Sequence, residues 1–96
     1  MISQFGNKIR QLREQQNLLL RQVAPLLEID TPLLSKIERG ERTAKKEMVN
    51  KLAEILKGDK EELLTLWLAD QVYDVVKDED VANEAIKNVS KKIKKK

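Results

Sequence analysis

The 96-residue chain has no cysteine and no histidine. Catalysis by an imidazole or thiolate, disulfide staples and Cys/His metal cages are therefore excluded. Proline occurs twice, glycine three times and aromatic residues three times, with few β-branched runs, a composition that points to helices. No apolar run approaches the roughly 18 residues of a membrane span, and no apolar leader with a cleavage site precedes the first charged segment. A cytoplasmic location is expected. No nucleophile and base pair up by spacing, so neither an enzyme nor a cofactor is expected. The 41% hydrophobic and 36% charged content is that of one folded domain, not a disordered chain.

The net charge of +3 conceals a strong segregation. Residues 1–57 carry 11 basic and 7 acidic side chains, residues 58–86 carry 2 and 9, and residues 87–96 carry 6 lysines and no acid. The blocks thus hold +4, −7 and +6. A polyanion would be repelled by the middle block, which places any nucleic-acid surface in the first sixty residues.

Apolar residues recur at spacings of three and four almost throughout, which predicts an all-α chain. Phe5, Ile9 and Leu12 mark a first helix over about 4–16, and Val23, Ala24 and Leu27 a short second one over about 20–27. Asp30 is a suitable N-cap for a third, with Thr31 and Pro32 in its first turn and Gly40 at its stop. A fourth helix is expected over about 45–57, burying Met48, Leu52, Ile55 and Leu56 and ending at Gly58. Asp59 caps a fifth, extending to Val76, whose apolar positions are more than one small core needs. Asp78, Glu79 and Asp80 open a last helix with Val81, Ala82, Ala85, Ile86, Val89 and Ile93 on one side, and its final lysines are expected to fray.

Two short helices about three residues apart, the second capped and closed by glycine, make a helix-turn-helix, whose second helix fits the major groove. The residues Ile9-Arg10-Gln11-Leu12-Arg13, Val23-Ala24, Ile29-Asp30, Leu34-Ser35-Lys36-Ile37-Glu38-Arg39-Gly40 and Leu52-Ala53-Glu54-Ile55-Leu56 carry a family likeness. Over roughly residues 3–64 the chain resembles the Cro and phage-repressor family of XRE-type regulators. The resemblance implies a five-helix lambda-repressor-like domain acting as a dimer on a pseudo-palindromic operator in double-stranded DNA. It places base contacts on Thr31, Pro32, Ser35 and Lys36, within a recognition helix of about Thr31–Arg39. Backbone contacts would come from Arg39, Arg42, Thr43, Lys45 and Lys46, joined by Arg21 or Gln22. It also implies that Arg13 and Glu38 tie the first helix to the third as a partly buried ion pair.

The chain departs from that family at Leu19 and Leu20, which stand at the usual cap and phosphate clamp of helix two, and at Glu28, where glycine is common. Pro25 removes a bond to the Arg21 carbonyl, so a kink and a shifted backbone contact are expected there.

The expected organisation is a DNA-binding domain over residues 1–64 and a helical extension over 65–96, homodimeric through Leu66, Trp67, Tyr73, Val76, Ile86 and Val89. Trp67 and Tyr73 read as core or dimer packing rather than as base-stacking platforms. The acidic cluster at 78–80 lacks calcium-loop spacing, so no metal is expected. The Lys-rich tail reads first as a solvated end, then as a partner of the acidic segment, then as a DNA arm. The competing reading is an antitoxin-like or adaptor module that binds another protein through its C-terminal helices. Restriction-modification controllers and antitoxins share this profile.

Overall fold

Residues 3–95 are described by the computed structural model; they form six α-helices and one 3-10 segment and, among the described residues, no strand. Lys96, the last of the tail lysines, lies outside them. In order, the elements are α1 (Gln4–Gln15), α2 (Leu20–Val23), a 3-10 segment (Ala24–Leu27), α3 (Thr31–Glu38), α4 (Lys46–Ile55), α5 (Lys60–Val76) and α6 (Ala82–Lys94). The expected all-α architecture of five helices and an additional C-terminal one is the one observed.

Local chemistry accounts for most helix starts. Ser3 Oγ accepts from the Gly6 amide at 2.9 Å, Asp30 accepts from the Leu33 amide at 2.9 Å, and Asp59 accepts from the Glu62 amide at 3.1 Å. Each satisfies an amide that has no intrahelical acceptor. Helix α6 begins differently from expectation. A turn carries the acidic cluster, and the helix starts at Ala82 behind Val81, which makes no side-chain cap. At its other end α6 stays helical to Lys94, since lysine is a good helix former and favours the negative end of the helix dipole.

The helix stops follow backbone sign. Gly40 has φ +77°, with its amide donating to the Ile37 carbonyl at 3.1 Å and the Glu41 amide donating to the Lys36 carbonyl at 2.8 Å. This is the paired closure that a left-handed residue permits. Asn17, Glu28 and Lys57 adopt the same sign, at φ +57°, +59° and +55°. The fourth helix therefore closes through Lys57 and not through Gly58. A Cβ at Gly58 would stand 2.8 Å from Leu12 Cδ1, the movable end of a side chain.

The core gathers Phe5 and Ile9 of α1, Val23, Ala24 and Leu27, Leu34 and Ile37 of α3, Val49, Leu52 and Ala53 of α4, and Leu56 and Leu63. Val49 and Ala53 take the places expected for Met48 and Ile55, which are only partly buried. The buried stripe on α4 runs 49-52-53-56, one residue out of step with the expected face.

Beyond Gln71 helix α5 leaves this core and, with α6, forms an arm. No residue of α6 is buried, and α6 does not pack closely against α5. The radius of gyration is 15.0 Å, against about 12–13 Å for a compact domain of this length.

Candidate nucleic-acid interface

The sequence Asp30-Thr31-Pro32 starts α3, the second helix of the pair. At 100° per residue, Thr31, Pro32, Ser35, Lys36 and Arg39 share one side, while Leu34 and Ile37 point into the core. Pro32 and Lys36 are exposed, and Thr31 and Ser35 are partly so. Asp30 is occupied as the cap.

The segment between α3 and α4 brings Arg42, Thr43, Lys45 and Lys46 to the surface directly after this helix, all exposed. Arg39 is exposed too but holds Glu41, Nε to Oε2, at 2.9 Å. A phosphate would have to compete with that carboxylate.

On the first helix of the pair, Arg21 and Gln22 are exposed. Gln22 already has a role: its side-chain oxygen accepts from the Leu19 amide at 2.7 Å. Leucine at the cap position has no acceptor to offer, and Gln22 completes the start of α2 from within the helix. Its amide nitrogen is left for a ligand. The expected kink is a change of helix type. The chain passes from α2 to the 3-10 segment at Ala24, just before Pro25, and turns at the left-handed Glu28.

Beneath this face Arg13 and Glu38 form a two-pronged pair: Nε donates to Oε2 at 2.8 Å and Nη2 to Oε1 at 3.0 Å. Arg13 Nη1 also donates to the Leu18 carbonyl at 2.8 Å. Arg13 and Glu38 are 9% and 7% exposed. The hydrogen bond to Glu38 holds the guanidinium above the ordinary arginine range, against the opposing effect of burial. One pair thereby fixes the end of α1, the entry to α2 and the C-terminal turn of α3 relative to one another.

Three positioning groups had not been expected. Gly6 lets α1 touch α3, since a Cβ there would stand 2.8 Å from the Ile37 carbonyl oxygen and closer still to that of Glu38. Asp70 of α5 gathers the start of α1, accepting from Ser3 Oγ at 2.7 Å, the Phe5 amide at 3.0 Å and the Gln4 amide at 3.1 Å. Trp67 Nε1 donates to the Ala44 carbonyl at 2.7 Å, so α5 holds the basic segment that follows α3. Glycine at α1 and aspartate within α5 had no local pattern to mark them.

Among the residues expected at a dimer face, Leu66 and Trp67 are packed against the core of their own chain. Tyr73, Ile86 and Val89 are 54%, 43% and 52% exposed, and Val76 is half-buried. Among the described residues no helix is long and apolar enough to cross a membrane.

Comparison with known proteins gives no significant match to a curated protein or to a solved structure. A family model described as a helix-turn-helix domain matches residues 4–66, from the start of α1 into α5. The match covers more than half of the chain and spans the exposed α3 face, its basic flank and the core beneath them, and the chain belongs to the helix-turn-helix domain family.

Proposed function

We propose that this chain is a sequence-specific transcriptional regulator of the XRE type, a homodimer on a pseudo-palindromic operator in double-stranded DNA. Each copy inserts the helix beginning at Thr31 into the major groove of one half-site, with half-sites about 34–36 Å apart. The observation that carries this reading is the exposed face of α3 continued by Arg42, Thr43, Lys45 and Lys46. Lys36 donates to guanine O6 and N7, Thr31 and Ser35 donate or accept at base edges, and Pro32 packs on a thymine methyl. Arg39, Arg42, Thr43, Lys45 and Lys46, with Arg21 and the free amide of Gln22, neutralise or bond phosphates. The domain over residues 1–64 reads DNA, the extension over 65–96 pairs the copies, and no cofactor or catalysis is involved. Action in the cytoplasm fits this role.

Fluorescence anisotropy against the DNA upstream of the protein's own gene and a scrambled duplex, at two salt concentrations, tests it. Preference for the upstream DNA and affinity falling steeply with salt are expected. Lys36→Ala should relax selectivity at one base pair, whereas Arg42→Ala should weaken every sequence alike and lower the salt slope by about one. Equal, salt-insensitive binding to both duplexes would refute the reading. The exposed apolar arm favours a second reading, a module whose main partner is another protein, and a monomer without DNA affinity would support that instead.

A further inference from the structure

Eight of the ten large hydrophobic side chains left exposed among the described residues lie beyond Leu66, on α5, α6 and the turn between them. Surface apolar residues scattered singly need no explanation, but a contiguous set does. These form a groove in which Val72, Val75 and Val76 of α5 face Ala85, Ile86, Val89 and Ile93 of α6. Both walls have the spacing of helix-bundle seams. On α5 the positions are 65, 69, 72 and 76, and on α6 they are 82, 86, 89 and 93, each a four-three-four step. The groove is wide because the two helices do not close on each other.

Charge identifies the occupant. The distal turn joining the helices carries Asp78, Glu79 and Asp80, and the far end of α6 carries Lys91, Lys92, Lys94 and Lys95. Among the described residues none of these four lysines has a carboxylate partner. Along α6 the arm thus runs from a negative end at the turn, its tip, to a positive C-terminal end, its base. An anionic membrane would take the lysines and reject the tip, and its flat surface would not fill a concave groove. A second copy of the same arm, turned end for end, matches both signs at once and supplies a helix with the same seam.

We propose that two chains pair through these arms as an antiparallel four-helix bundle. Helix α6 of each copy lies in the groove of the other, and the acidic tip of each meets the lysine-rich base of its counterpart. The inference rests on the homodimer reading above and gives it a geometry, which is isologous and self-closing.

Sedimentation equilibrium of the full chain, with circular dichroism as a check on folding, tests it. The wild type should be a dimer, and Ile86→Asp/Val89→Asp should be a monomer with the melting of the core retained. Lys91→Glu/Lys94→Glu and Asp78→Lys/Asp80→Lys should each weaken self-association by roughly tenfold or more. An equimolar mixture of those two variants should restore a dimer containing one of each, since only unlike copies then place opposite charges together. A wild type that stays monomeric, including one recovered on anionic vesicles, overturns the proposal. So does a dimer that survives Ile86→Asp/Val89→Asp, or a mixture that fails to recover. DNA affinity is read separately by anisotropy: a monomer that still prefers its own upstream DNA defeats this interface alone, and a charge-swappable dimer without DNA affinity defeats the regulator reading alone.

Discussion

Replacing Glu38 by alanine leaves the guanidinium of Arg13, a residue 9% exposed beside the intact pair, with only the Leu18 carbonyl as acceptor. Two charge-assisted bonds, at 2.8 and 3.0 Å, are lost. Breaking a buried pair by removing one partner costs about 3–5 kcal/mol, and the surviving bond to Leu18 argues for the lower end. In a domain of this size about 1 kcal/mol corresponds to 4–8 °C, so Tm should fall by roughly 12–24 °C. Thermal and urea unfolding followed by circular dichroism measure it, with Arg13→Met/Glu38→Leu as an apolar replacement of the whole pair. That double variant should recover most of the loss, because apolar replacements leave no unpaired charge. Arginine's folded value is raised, so its contribution is fully present below the unfolded value and disappears only as pH climbs through the folded one. The cost of Glu38→Ala should accordingly be flat between about pH 7 and 10. A fall in Tm of less than about 4 °C, or a double variant no more stable than Glu38→Ala, would refute the argument.

Gly6→Ala should lower stability by about 2 kcal/mol or more, because the added methyl meets backbone at the end of α3 and not a movable side chain; an unchanged urea midpoint would contradict this. Trp67→Phe keeps the ring packing but leaves the Ala44 carbonyl, in a residue only 4% exposed, without its donor. A loss of about 1–2 kcal/mol is expected, together with weaker non-specific DNA binding at fixed salt, and unaltered affinity would show that the basic segment needs no such anchor. Glu28→Gly relieves a left-handed backbone at φ +59° and should raise stability by up to about 1 kcal/mol, glycine's extra unfolded-state freedom offsetting part of the gain. A decrease in the thermal midpoint would mean that the Glu28 side chain holds something in place.

What the sequence made legible was whatever depends on neighbours along the chain. Asp30 and Asp59 are caps because a short acceptor precedes a run of helix formers, and Gly40 is a stop because glycine tolerates positive φ. Arg13 and Glu38, 25 positions apart, were reached through the family resemblance, since nothing local pairs them. Asp70 was invisible for the same reason: its ligands lie more than sixty residues away, and in sequence it is one more acid in an acidic block. Lys57 and not Gly58 took the left-handed position, although glycine is the residue that local preference marks for it. The α4 face was misjudged because Met48, Val49, Ala53 and Ile55 are all apolar, so the pattern admits two overlapping stripes through Leu52 and Leu56 and only packing against the rest of the core selects the one with Val49 and Ala53. Leu66 and Trp67 look like surplus apolar surface until the loop carrying Ala44 folds back over α5.

Helix α5 links the two ends of the molecule mechanically. Its first turns are in the core through Leu63, its middle holds both the start of α1 through Asp70 and the segment after α3 through Trp67, and its last turns form the arm. It is unbroken from Lys60 to Val76, with no proline or glycine at which it could bend. A dimer joined through the arm would therefore hold its two α3 helices at a separation set by bundle packing and not by a flexible tether. Such a protein should discriminate sharply between operators whose half-sites differ by one base pair in spacing, because each added pair also rotates one half-site about the DNA axis relative to the other. Inserting a Gly-Ser-Gly segment after Gln71, between the turns of α5 held to the domain and those that form the arm, would decouple the two: dimerisation should persist while spacing selectivity collapses. Selectivity that survived the insertion would show that the two reading heads are positioned by the DNA itself and not by α5.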